Sequence, residues 1–211
     1  MQTPINTPLQ EHCFYHIYNR GNDSINVFYQ PRNYGYFLQK YERYLSGYID
    51  TYAYCLLPNH FHLLVKIKGK ENFRLSEDGF PNSEDLKKLT AEQIVSEQFR
   101  RFFMSYSKSI NVQEGRTGSL FQKTFRRKQV YSDSYFTRAV LYIHHQLEHH
   151  GFRNMNYKDY AWSSYCKLIQ NGDTILKRQD VLDWFGGKEG FVRSHVRSPA
   201  PNEVDQILIE D

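Results

Sequence analysis

Two β-prone runs, Thr51-Tyr-Ala-Tyr-Cys-Leu-Leu57 and His60-Phe-His-Leu-Leu-Val-Lys-Ile67, stand only Pro58-Asn59 apart. So short a connection joins neighbouring strands as an antiparallel hairpin, because a parallel crossover needs a dozen or more residues. Pro-Asn is not a favoured turn pair, so this reading rests on the spacing and on the composition of the runs. The fold must therefore contain an antiparallel sheet, and the rest of the chain has to cover it.

The other segments supply that cover. Cys13-Phe-Tyr-His-Ile-Tyr-Asn19 reads as a strand stopped at Asn19-Arg20-Gly21-Asn22. A helix is expected over Tyr34 to Leu45. Residues 68–88 are polar and broken by Gly79-Phe-Pro-Asn82, which predicts an inserted loop (69–89) with little structure of its own. From Thr90 to about Val112, the apolar positions Ile94, Phe99, Phe102, Phe103, Tyr106 and Ile110 fit an amphipathic helix. Arg116 to Lys128 suits a loop plus one strand or turn. Ser134 to His150 reads as a second helix, with Ser132 or Asp133 placed to cap it and Gly151 placed to end it. Trp162-Ser-Ser-Tyr165 and Val181-Leu-Asp-Trp-Phe-Gly-Gly187 suggest short helices packed on the core, followed by a loose acidic tail. The expected class is α+β, with residues 12–151 as one domain and 152–211 as a helical extension and tail.

Composition narrows the function. No apolar run approaches the roughly 20 residues of a membrane span, and the first residues lack a signal-peptide pattern, so the expected location is the cytoplasm. Cys13, Cys55 and Cys166 have no CxxC spacing, which argues against a disulfide framework or a cysteine zinc site. Of the net charge of +4, Phe99 to Val130 holds eight Lys or Arg against one Glu, so +7 lies in that segment. Arg116, Lys123, Arg126 and Arg127 form a track suited to phosphates, although a solvated basic loop has the same composition.

The chemistry is carried by a few polar positions. His60 and His62, two apart on a strand, present both imidazoles to one face and so form a bidentate metal platform. On the helix of 134–150, Phe136, Val140, Ile143 and Leu147 mark the core face, and Tyr142 and Gln146, one turn apart, project together from its flank. A phenol can attack a phosphodiester that is oriented by a divalent ion, and two imidazoles with an amide oxygen leave coordination positions open on Mg²⁺ or Mn²⁺. His145 and His149 offer a rival four-histidine zinc cage with His60 and His62, although they point away from the core face. Tyr106, on a helix beside the basic segment, is the competing nucleophile, but Ile110 stands where a metal-binding side chain would be needed one turn on.

Leu57-Pro-Asn-His-Phe-His-Leu-Leu64, Gly118-Ser-Leu-Phe-Gln-Lys-Thr-Phe125 and Leu141-Tyr-Ile143 with Gln146 together resemble the single-tyrosine HUH transposases of the IS200-like type, especially the REP-associated tyrosine transposase branch. The resemblance runs from about Phe14 to Gly151. Gln146-Leu147 departs from the Asn-Pro common in that branch, glutamine being the residue of the insertion-sequence branch. It implies a ferredoxin-like core, an antiparallel sheet of four or five strands backed by helices. It further implies cleavage of single-stranded DNA near a hairpin through a 5′-phosphotyrosine on Tyr142, with His60, His62 and Gln146 as metal ligands. Asn19 and Arg20 match positions that contact bases. A monomer and a homodimer that exchanges the tyrosine helix are both compatible with the sequence, as is a domesticated protein that binds hairpins without cutting them. A His-ligated zinc hydrolase is the remaining alternative.

Overall fold

The Pro58-Asn59 pair does turn the chain between β2 (Ile49–Leu57) and β3 (His60–Ile67), whose register begins with Leu57 opposite His60. The computed structural model describes residues 6–75, 79–152, 155–197 and 199. With β1 (Phe14–Arg20) and β4 (Arg126–Val130), the hairpin forms a four-stranded antiparallel sheet in the order β2-β3-β1-β4. Helix α1 (Pro31–Leu45) connects β1 to β2. A short α2 (Ser83–Lys88) and the long α3 (Ala91–Gln113) connect β3 to β4. This β-α-β-β-α-β path is the ferredoxin-like arrangement, so the expected α+β class is observed.

Alternation along the strands assigns the two faces. Tyr15 and Ile17 on β1 and Phe61, Leu63 and Val65 on β3 are buried on the face covered by α1 and α3. There Phe37 of α1 meets Phe61, Phe102 and Tyr106 at ring separations of 5.1, 4.9 and 5.2 Å. Each such buried aromatic stabilises by about 1.5–3 kcal/mol relative to exposure, so this layer is the main apolar core. The ends of its helices follow from local chemistry. Thr90 Oγ1 accepts the Gln93 amide and Gln93 Oε1 accepts the Thr90 amide, a reciprocal cap that starts α3.

The opposite face carries His16 and His62 and is covered by α4 (Asp133–His144), whose Phe136 meets Phe14 and Tyr52 at 5.1 and 5.4 Å. Here the structure departs from the single helix expected over 134–150. The helix is interrupted at His145 (φ −86°, ψ 12°) and resumes as the one-turn α5 (Gln146–His149). Ser132 does occupy the N-cap position, but its side chain makes no capping bond and its Oγ lies 3.2 Å from Ser134 Oγ. Gly151 ends the segment with φ +74°, a conformation costly for residues with a Cβ.

The segment 68–88 has more structure than its composition suggests. It holds a 3₁₀ turn at Lys70–Asn72 and the helix α2, whose N-cap Asn82 accepts the amides of Glu84 and Asp85. Phe73 packs on Tyr48 at 5.3 Å and anchors the segment. The last twelve residues, expected to be loose, lie outside the described residues.

Three short helices, α6 (Tyr165–Ile169), α7 (Arg178–Trp184) and α8 (Lys188–Ser194), follow the sheet domain. Their connections shield the outer edge of β2. Leu56 N–H donates to Trp162 O, Ser164 N–H to Tyr54 O and Lys177 N–H to Thr51 O, at 3.0, 2.9 and 2.8 Å. An otherwise open row of backbone donors and acceptors is thereby satisfied. Cys13, Cys55 and Cys166 are unbridged, and among the described residues no helix is long and apolar enough to cross a membrane.

Candidate active site

Strand pairing sets the polar row on the α4 face. His60 stands opposite Arg20 and His62 opposite Tyr18, while His16 and Tyr18 of β1 stand opposite Lys128 and Arg126 of β4. The turn after β1 is locked onto the histidine hairpin, since Gly21 N–H donates to Asn59 O at 2.8 Å. A Cβ on Gly21 would sit 2.1 Å from Ile25 O, so the backbone can close here only on glycine. This closure fixes Arg20 beside His60.

His60 and His62 are both buried, with exposures of 1% and 0%. His60 Nδ1 lies 2.6 Å from Asn59 Oδ1, which accepts its proton and leaves Nε2 as the lone-pair nitrogen. That Nε2 is buried and has no hydrogen-bond partner. His62 Nδ1 lies 2.9 Å from His16 Nε2, in a near-parallel stack of the two rings. Burial, followed by the nearby His150 and Arg20, pushes His60 down to about 3. Burial and then His16 hold His62 well below the ordinary histidine range. Neutral imidazoles are the form that binds a metal.

Tyr142 enters from α4 of the same chain, its ring 6.0 Å from His62 and 5.8 Å from His16, both edge-on. A partner subunit is not needed to bring the tyrosine to the histidines. Gln146 is fully buried, and its Nε2 donates to Tyr142 O at 3.3 Å. Its Oε1 is buried with no hydrogen-bond partner. Gln146 Oε1 makes no hydrogen bond to either histidine. The orphaned His60 Nε2 and Gln146 Oε1 fit the donor types of a divalent-metal site.

The rival assignments separate in space. Tyr106 is fully buried, and its hydroxyl donates to Val27 O at 2.7 Å, a packing role on the other side of the sheet. His145 does not point to solvent as simple helix phasing implies. It is 1% exposed, with its ring 4.5 Å from Tyr157, because the C-terminal extension buries a second face of this helix. His149 lies against Tyr142, with ring centres 5.1 Å apart. The histidine grouped with His60 and His62 is instead His150, so the cage containing His145 and His149 is not the arrangement formed.

His16, Lys128 and His150 escaped the sequence reading. His16 and Tyr18 show the same two-residue spacing as the His60-His62 pair, but only the β1–β3 register reveals that they share its face. Lys128 is 3% exposed and sits 5.9 Å over the Tyr18 ring.

The expected DNA contacts fall into three groups. Asn19, Arg116 and Lys123 line a groove of about 930 Å³ between α3 and the 115–125 loop, floored by Phe103, Phe121 and Phe125. Arg20 and Arg126 belong to the α4 face, and Arg20 Nε is buried without a hydrogen-bond partner. Arg127 is committed elsewhere, with Nε donating to Thr7 O at 2.7 Å and a terminal nitrogen pairing with Glu92 at 3.0 Å. Consecutive residues Asn19 and Arg20 thus serve opposite faces at the same strand end.

No family model and no curated protein matches this sequence. The chain is similar to the solved structure of a REP-associated tyrosine transposase bound to a REP hairpin, with a TM-score of 0.57 and 14% identity, covering 88% of this chain and 97% of that one. The chain therefore has the fold of a REP-associated tyrosine transposase.

Proposed function

We propose that this chain is a member of the HUH transposase family, a metal-dependent single-stranded DNA endonuclease and strand transferase that acts beside DNA hairpins, with Tyr142 as nucleophile. The observation that carries the reading is the tyrosine edge-on to His62 at 6.0 Å in a chain whose His60 Nε2 and Gln146 Oε1 are buried without partners. The hairpin substrate is carried over from the REP hairpin bound by the protein of similar fold. The groove bearing Arg116 and Lys123 is a suitable track for its backbone.

His60, His62 and Gln146 would hold Mg²⁺ or Mn²⁺. When bound, the ion polarises the scissile phosphate and offsets charge building on its oxygens. Tyr142 Oη attacks phosphorus, forming a Tyr–O–P bond as the P–O3′ bond breaks. The phenol proton ends on the departing 3′ oxygen, which leaves as a hydroxyl. No water is consumed, so the 5′-phosphotyrosine ester retains the energy of the original linkage and another 3′-hydroxyl can reverse the step. The unsatisfied Nε–H of Arg20, opposite His60 in the β1–β3 register, supports a role for it in binding a phosphate oxygen.

The test is hairpin DNA with a single-stranded flank, incubated with Mn²⁺ and examined on a denaturing gel for a protein–DNA adduct. The expected result is an adduct with the native chain and with Tyr106→Phe, and none with Tyr142→Phe. An adduct that persists in Tyr142→Phe and disappears in Tyr106→Phe overturns the assignment. Tight hairpin binding with no cleavage under any divalent ion would establish a binding protein instead.

A further inference from the structure

We propose that His150 is a third imidazole ligand of the ion held at His60 and His62, and that this makes the site prefer a late first-row transition ion over Mg²⁺. The inference rests on the metal-site reading above and specifies its donor set. The ring of His150 is 4.3 Å from that of His60 and 6.5 Å from that of His62. One ligand nitrogen from each of the three lies within 4.8 Å of the other two.

Ligand nitrogens about 2.1 Å from a common ion stand roughly 3–3.5 Å apart. A small rotation therefore closes the set, and His150 is its solvent-side member, being exposed where the other two are buried. His60 is held by Asn59 and His62 by His16, at 2.6 and 2.9 Å between the paired atoms. A fixed pair with one solvent-side arm is a geometry that admits an ion and then closes on it. The interruption at His145 and the turn at Gly151 bring the arm there.

Three neutral nitrogens change which ion is preferred. Mg²⁺ favours oxygen ligands and gives up water reluctantly, whereas Co²⁺, Ni²⁺ and Zn²⁺ bind imidazole well. With the Gln146 amide oxygen as the remaining protein donor, the set is rich in nitrogen. The alternative, in which His150 stays out of the coordination sphere and water takes its position, has more oxygen donors and suits Mg²⁺ or Mn²⁺ better.

The experiment uses the full chain stripped of metal and titrated with cobalt(II), read by visible absorption and calorimetry, and then with Mg²⁺ as competitor. Melting curves check that each variant is folded. The native chain should bind Co²⁺ with ligand-field bands of a nitrogen-rich site and resist displacement by Mg²⁺. His150→Ala, at an exposed position, should weaken Co²⁺ binding by about 10–100-fold while changing Mg²⁺ binding little. His60→Asn should remove Co²⁺ binding. Loss in His60→Asn but unchanged Co²⁺ affinity in His150→Ala overturns the third ligand and leaves the two-histidine site standing. No difference between the native chain and His60→Asn overturns both.

Discussion

His16 Nε2 lies 2.9 Å from His62 Nδ1, so a single proton is shared between the two imidazoles and its position decides whether His62 can bind a metal. If His62 donates from Nδ1, its Nε2 keeps a lone pair. If His16 donates, the proton of neutral His62 moves to Nε2 and the ligand is lost. Burial, and then the Lys128 ammonium, push His16 down to about 3, so it stays neutral and able to accept. On the proposed metal-site reading, His16 would act as a positioning residue through His62. His16→Leu should lower affinity for cobalt(II) by about 10–100-fold, and His16→Gln, whose amide oxygen can still accept, should recover most of it. Equal affinities for the Leu variant and the native chain would remove this role.

A second histidine pair fastens the helix that carries Tyr142. His144 Nδ1 and His195 Nε2 are 2.7 Å apart, and His144 Nε2 is 2.7 Å from Ser164 Oγ. The chain of donors is complete. Tyr54 N–H donates to Ser164 Oγ at 2.9 Å, Ser164 O–H to His144 Nε2, His144 Nδ1–H to His195 Nε2, and His195 Nδ1–H to Phe191 O at 2.7 Å. Ser164→Ala leaves a buried amide and a buried imidazole nitrogen without that partner, a loss of about 1–3 kcal/mol. At roughly 2–4 °C per kcal/mol for a chain of this size, thermal unfolding should show a clear drop. An unchanged midpoint would show that the network contributes nothing net.

The same burial gives the stability a definite pH dependence. His195 is pushed down to about 4 and His16 and His60 to about 3, in each case chiefly by burial, and His62 and His144 are lowered well below the ordinary range. Unfolded histidines titrate near 6.5, so below that pH the unfolded chain binds protons that the folded chain refuses. The contribution of these groups is fully present above about pH 6.5 and is lost as pH falls, down to about 4 for His195 and about 3 for His16 and His60, each neutral histidine weakening the folding equilibrium by up to tenfold per unit. Urea unfolding of the metal-free chain between pH 7.5 and 4.5 should show this slope, and His195→Phe should make it shallower. A flat profile would mean that these imidazoles are solvated in the folded state.

How far the sequence reaches is visible in these same residues. The Pro58-Asn59 hairpin was legible because spacing is local information, and Tyr142 because a flank position can be found from 3.6-residue periodicity. The histidine pairs are not local: His16 and His62 are 46 residues apart, and His144 and His195 are 51 apart. Nothing in either partner's neighbourhood announces the other. The interruption at His145 was hidden for a different reason. The run Val140 to Leu147 has helical composition throughout, and the packing of His145 against Tyr157 of the C-terminal extension at the break is nowhere announced by the local pattern. Uniform phasing therefore turned His145 outward and gave no reason to single out His150.

The basic segment offers a test that distinguishes contact with DNA from support of the fold. Arg116 and Lys123 line the groove beside α3, whereas Arg127 is tied to Thr7 and Glu92 and is partly covered. Neutralising one phosphate contact should weaken hairpin binding for all sequences alike and reduce the slope of log K against log salt by about 0.9 for a duplex stem or 0.7 for a single strand. Arg116→Ala and Lys123→Ala should each behave this way with little change in melting temperature. Arg127→Ala should do the reverse, lowering stability by releasing Thr7 and Glu92 of α3 while leaving the salt slope nearly unchanged. If Arg127→Ala alone alters the slope, the DNA runs along β4 instead of the groove, and the route from hairpin to Tyr142 must be redrawn on that side of the sheet.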